Sequence, residues 1–221
     1  HGLQEVLVDE IYKVNLASNA RIIDCGANIG LSVLYFKSIC PSAHITAFEP
    51  DRHNLAQLEK NMAVNGIRAE IVQKALWSKE TTLFYHADAS YTGYVDENPP
   101  GFAIACVTAH VQDGCWLKLD IEGGEYEILD SLQDKHLLTL FESIYVEFHS
   151  QYMSPDLASY YIDSEKEFLK YAKMAEYSFN FTQATNYDTT KFRSGDALAR
   201  KQWRSEMAKQ KNIISSIDKV F

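Results

Sequence analysis

With 221 residues the chain has room for one sizeable core but not for two comfortable domains, so one decorated domain is expected. Its 46% hydrophobic and 23% charged residues are those of an ordinary globular protein, and no apolar run approaches the roughly 18 residues that cross a bilayer. A formal charge of −9 argues against a nucleic-acid partner, because phosphate binding draws on a surplus of Lys and Arg.

The opening HGLQEVLVDE has no basic stretch followed by an apolar one, so no secretory signal is expected. Cys25, Cys40, Cys106 and Cys115 lie far apart with no CxxC pair and read as free thiols of a reducing, cytoplasmic compartment. Leu3, Leu7, Ile11 and Val14 recur at helical spacing, which predicts a helix from Leu3 to Val14 within an N-terminal extension over 1–20.

From Arg21 the pattern alternates. A strand RIIDC leads to a helix from about Ile29 to Ile39, a strand HITAFE, a helix from Arg52 to Val64 and a strand AEIVQ. That is half of a doubly wound parallel sheet. Leu31, Leu34, Tyr35 and Ser38 are expected to share one helix face, and so are Leu55, Leu58 and Met62. Strand-like TTLFYH and AIACVTAHV flank a polar stretch from Ala87 to Gly101, read as a loop over a site, with Tyr91, Thr92 and Tyr94 as either pocket lining or loop anchors.

The alternation resumes with a strand CWLKLD, a helix from about Gly124 to Leu132 and a strand SIYVEFH. Ser164 to Tyr177 reads as helix and YSFNFTQ as strand. Trp203, Met207, Ile214, Ile217 and Phe221 predict a basic amphipathic helix over about 197–221, closing a single domain that begins at residue 21.

The chemistry concentrates at strand ends. In IIDCGANIG, Gly26 suits a tight turn and a close backbone approach to a ligand, and Gly30 suits close packing of helix on strand. Asp24 ends the strand where a pyrophosphate would be repelled, while a ligand with a cationic amino acid head would pair with it. Glu49, in AFEPD at the end of the second strand, can accept bonds from both hydroxyls of a ribose.

In LKLDIEGGEYEIL an apolar strand delivers Lys118, Asp120, Glu122 and Glu125 within a few residues, although buried charges need partners. Glu147 and His149 share a face at the end of the fifth strand. Asp24, Glu49, Asp120 and His149 would then look into one crevice. A plainer reading makes Lys118 and Glu147 a structural ion pair, with Glu125 capping the helix after Gly124. Asp120, Glu122 and His149 are ligand types that a divalent ion accepts, but their spacing is not diagnostic, and no metal is assigned.

Through IIDCGANIG, FEP, KALWS, KLDIEGGEYEIL and VEFH, from about Arg21 to His149, the sequence resembles the FkbM family of class I S-adenosylmethionine-dependent methyltransferases. The KxDxEGxE segment is the specific part. The resemblance implies an α/β, Rossmann-like domain with a mostly parallel seven-stranded sheet, a final antiparallel strand and helices on both faces. It implies S-adenosyl-L-methionine as cofactor, held by Asp24, Gly26, Ala27, Asn28 and Gly30, with ribose at Glu49 and Pro50, adenine near Ala75, and Asp120 nearest the methyl. The acceptor it implies is a small molecule or glycan hydroxyl.

Methyl transfer to a hydroxyl needs alignment and removal of a proton. His149 is expected as base or acceptor-orienting group, with Asp120 and Glu122 positioning the acceptor. Two alternatives stand beside this reading. One is a nicotinamide-dependent oxidoreductase on a similar sheet, disfavoured by the missing GxGxxG. The other is a non-catalytic binding module of the same fold.

Overall fold

The computed structural model describes residues 2–87, 93–96, 102–107, 113–135, 137–149, 161, 163, 164, 166, 168, 177–182 and 214–219. In chain order the elements begin with α1 (Gly2–Leu7), β1 (Arg21–Cys25), α2 (Leu31–Ile39), β2 (His44–Phe48), α3 (Arg52–Val64) and β3 (Glu70–Val72). There follow β4 (Ala75–Leu76), β5 (Thr81–Ala87), β6 (Gly93–Asp96), β7 (Phe102–Val107), β8 (Cys115–Leu119), α4 (Glu125–Asp134), β9 (Phe141–Glu147), β10 (Tyr177–Thr182) and β11 (Ile214–Lys219).

Five strands run parallel in the order β3, β2, β1, β8, β9. The order reverses beside β1, so a crevice opens at the carboxyl ends of β1 and β8, the place where such sheets bind ligands. β11 pairs antiparallel with β9, and β10 antiparallel with β11. β4, β7, β5 and β6 form a separate small sheet.

Alternation along each strand builds a core on either face. Ile22, Ile45, Trp116 and Tyr145 pack with Val33, Phe36, Leu58 and Met62 on one side. Ile23, Leu117, Ile144 and Val146 pack with Tyr126, Ile128 and Leu129 on the other. Every residue of β8 is buried, as the middle of a parallel sheet covered on both faces requires. α3 has the predicted limits because Asp51 caps it, accepting from the amides of His53 at 2.8 Å and Asn54 at 2.9 Å.

Several expectations are corrected. The N-terminal helix stops at Leu7 and Glu10 turns at φ 49°, so Leu3 and Leu7 are exposed while Val6 and Tyr12 enter the core. The α2 face that is fully buried is Ser32, Val33, Tyr35 and Phe36, with Leu31 and Leu34 half-buried and Ser38 exposed. Within the polar stretch expected as a loop, 93–96 is strand β6 paired with β5, so Tyr94 lies on a strand. Its Tyr and Val favour that pairing. Tyr91 and Thr92 lie outside the described residues.

The helix expected over 197–221 is overturned at 214–219, which form β11; residues 197–213, including Trp203 and Met207, lie outside the described residues. Ser and β-branched Ile make Ile214–Ile217 a weak helix, and the open edge of β9 offers it a ladder.

Candidate active site

Glycine and backbone amides build the turn after β1. Gly26 has φ +77°, and a Cβ added to it would lie 1.9 Å from the main-chain oxygen of Asp120. Its close approach is therefore to the end of β8, and only glycine permits it. Gly30, expected to ease helix against strand, instead lets α3 in: its Cβ position is 3.0 Å from Met62 Cε and 3.1 Å from Leu58 Cγ.

Glu49 is 5% exposed and anchors this turn. Its Oε2 accepts the Asn28 amide and its Oε1 the Asp51 amide, each at 2.8 Å. Burial pushes the carboxyl up to about 7, although the Asp51 and Asn28 amides favour the ionised form. Each oxygen keeps a second lone pair, an arrangement suited to a vicinal diol.

Charges build the other half. Asp24 faces Lys118 across β1 and β8, and Lys118 faces Tyr145 across β8 and β9. The Lys118 ammonium, 2% exposed, donates to the carbonyls of Cys25 at 3.2 Å and Gly26 at 3.1 Å. It lies 3.2 Å from Asp24 Oδ1, a charge contact rather than a directed hydrogen bond, and 3.5 Å from Asp120 Oδ2. Burial opposes charge on this lysine, but Asp24 and Asp120 outweigh it and raise its pKa. Asp24 Oδ2 also accepts from Ser32 Oγ at 2.5 Å.

The ion pair expected between Lys118 and Glu147 is thus corrected to Lys118 and Asp24. In register, β9 offers Lys118 the residue Tyr145, and Glu147 stands two positions further on.

Glu125 organises the turn after β8. Its Oε1 accepts the Ile121 amide at 2.9 Å and its Oε2 the Gly123 amide at 2.8 Å, with Glu122 between them at φ 56°. His149 Nδ1 lies 2.7 Å from Glu125 Oε1. With both oxygens already accepting, the ring nitrogen is the donor, which turns Nε2 toward Asp120 Oδ1 at 3.7 Å and Glu122 Oε2 at 3.6 Å. Glu147 Oε1 lies 4.0 Å away.

Burial opposes charge on the His149 ring, but Glu122 and Glu125 outweigh it and hold its pKa well above the histidine range. Burial, then the charge of Asp120, pushes the Glu147 carboxyl up to about 8.

The contacts join Asp24, Gly26, Asp120, Glu122 and His149 into one connected cluster, and Asn28, Ala27 and Glu49 into the neighbouring turn. Pro50 follows Glu49 half-buried, whereas Ala75 opens β4 in the small sheet. Sequence reasoning missed Tyr12. Its hydroxyl donates to Asp120 Oδ2 at 3.2 Å, and its ring meets Tyr145 edge-on at 4.7 Å and lies 5.4 Å from the Lys118 ammonium. No motif marks it; only its burial among apolar neighbours at the chain's beginning does.

Known proteins resemble this chain in sequence and in fold. Residues 24–164, well over half of the chain, match the methyltransferase FkbM domain family. Methyltransferase 1 of Beauveria bassiana is 25% identical over 177 residues, 65% of this chain and 71% of that protein. Methyltransferase sdnD of Sordaria araneosa is 42% identical over 85 residues, 36% of this chain and 32% of that protein. A precorrin-6y C5,15-methyltransferase from Geobacter metallireducens shares the fold, with a TM-score of 0.50 at 14% identity, over 98% of this chain and 89% of that one. No helix among the described residues is long and apolar enough to cross a membrane. The chain belongs to the FkbM methyltransferase family and is an S-adenosylmethionine-dependent methyltransferase.

Proposed function

We propose that this FkbM-family methyltransferase moves the methyl group of S-adenosylmethionine to a hydroxyl of a small molecule or glycan, with both reactants at the carboxyl ends of β1, β2 and β8. The observation that carries this reading is the junction at Gly26, where the turn held by Glu49 touches the Asp120 carbonyl and so abuts the polar cluster.

In this reading Glu49, beside Pro50, takes the ribose hydroxyls, while the backbone of Gly26, Ala27, Asn28 and Gly30 borders the cofactor. Ala75 lies on the adenine side. Asp24 is 0% exposed and serves through Ser32 and Lys118, which fix the ends of β1 and β8, rather than by touching the cofactor. The seven-strand order among the described residues, with β11 antiparallel between β9 and β10, is the sheet we assign to this domain. The buried free thiols Cys25, Cys40 and Cys115 support a reducing, cytoplasmic setting.

Transfer is an in-line displacement: the oxygen–methyl bond forms as the sulfonium C–S bond breaks, and the electron pair stays on sulfur. His149, aimed by the contact of its Nδ1 with Glu125, orients the acceptor oxygen together with Asp120 and Glu122. The test is incubation with methyl-labelled S-adenosylmethionine and a panel of alcohols, sugars, amines and carboxylic acids. Label in an alkali-stable ether is the expected product. Label only in amines or esters overturns the hydroxyl assignment.

A further inference from the structure

We infer that Asp120, Glu122 and His149 bind one divalent metal ion, which holds the acceptor oxygen beside the transferable methyl. The inference rests on the methyltransferase reading of this crevice and deepens it. One ligand atom from each of the three side chains lies within 4.8 Å of the others. Metal–oxygen bonds of about 2.1–2.5 Å place neighbouring ligands about 3.0–3.5 Å apart and opposite ones about 4.2–5.0 Å apart. The separations of His149 Nε2 from Asp120 Oδ1, 3.7 Å, and from Glu122 Oε2, 3.6 Å, are too long for hydrogen bonds and slightly wider than the adjacent-ligand span, so small side-chain rotations bring all three onto one ion.

Three further observations point to a cation. His149 is 3% exposed and its Nδ1 is held by the buried Glu125 at 2.7 Å, the carboxylate–histidine pairing that fixes the tautomer and aim of a metal-bound imidazole. Carboxyl groups outnumber bases here: Asp24, Asp120, Glu122, Glu125 and Glu147 surround Lys118 and His149, and a divalent ion offsets the excess. The buried Tyr145 hydroxyl has no hydrogen-bond partner among the described residues, and its ring packs on Tyr12, whose own hydroxyl donates to Asp120 Oδ2.

Two carboxylates and one imidazole suit a borderline divalent ion such as Mn²⁺ better than Mg²⁺, and three protein ligands leave positions for water and for substrate. An acceptor hydroxyl bound there loses its proton to solvent more readily. Its oxygen then attacks the methyl carbon while the C–S pair returns to sulfur, so the ion is unchanged by the turnover.

Mn²⁺ added to the purified, metal-stripped protein and followed by the loss of the free-ion electron paramagnetic resonance signal tests this directly. One bound ion per chain is expected, with affinity reduced at least tenfold in Glu122→Gln, whose side chain is 31% exposed, and unchanged in Glu70→Gln on β3. If Glu122→Gln fails the folding check by circular dichroism, Asp120→Asn takes its place. Equal binding in wild type and the ligand variant, or no binding by wild type at millimolar Mn²⁺, overturns the site. Calorimetry with S-adenosylmethionine on the same samples separates the two ideas. Cofactor binding without Mn²⁺ binding defeats the metal site alone, and Mn²⁺ binding without cofactor binding defeats the functional reading.

Discussion

The two halves of the crevice are held together by different forces. Around Glu49 the work is done by backbone: two amides fix the carboxylate, and Gly26 admits the neighbouring chain. Around Lys118 it is done by side-chain charge, with one buried ammonium shared among Asp24, Asp120 and two carbonyls. Amide-held geometry tolerates changes of charge and fails on changes of shape. Ion-held geometry does the reverse, because a buried charge that loses its partner is costly while replacing the whole pair by apolar groups of similar volume is not.

The largest effect expected from that contrast is at Lys118. Lys118→Met leaves Asp24 and Asp120 without their cation, and a loss of about 3–5 kcal/mol is expected in urea unfolding. Adding Asp24→Asn should recover part of it, and a double variant no better than the single would show that the charges are not coupled. In the other half, Gly26→Ala should cost about 2–3 kcal/mol, from left-handed strain and collision with Asp120, and also abolish cofactor binding. An unfolding midpoint equal to wild type would mean that the loop shifts freely.

A smaller effect links the halves to the N-terminus. Tyr12→Phe removes only the hydrogen bond to Asp120 and should lower stability by about 1 kcal/mol, while keeping the ring's contact with Tyr145. The smallest concerns protons. The Glu49 pKa is raised on folding from 4.5 to about 7, so folding takes up a proton and this group's stabilising contribution is lost as pH rises from 4.5 through about 7. Ribose hydroxyls donate to the ionised form, so cofactor binding near the midpoint of that titration should release a fraction of a proton. Calorimetry in buffers of different protonation enthalpy should detect the release in wild type and not in Glu49→Gln.

The same contrast explains what the sequence disclosed. A glycine turn between strand and helix, an acid closing the next strand and a helix from Arg52 to Val64 are local patterns, and all three are found where expected. The ion cluster depends on which strands become neighbours and in what register. Lys118 therefore carried a legible need for a partner, but Asp24 became its partner only once β1 and β8 lay side by side. Tyr12 was illegible for a related reason: of the helically spaced Leu3, Leu7, Ile11 and Val14 only the last two pack on the core, and the chain's turn at Glu10 decided that Tyr12 enters it. At 214–219 local helical spacing lost to an available strand edge.

The central claim is that the cofactor lies with its ribose on Glu49. Calorimetric titration of the wild-type chain and of Glu49→Gln with S-adenosylmethionine tests it most directly. One site is expected in wild type and at least tenfold weaker binding in the variant, with unchanged folding, because a charge-assisted hydrogen bond contributes about 1.5–3 kcal/mol. Equal affinity in the two proteins would contradict it and move the cofactor away from the end of β2.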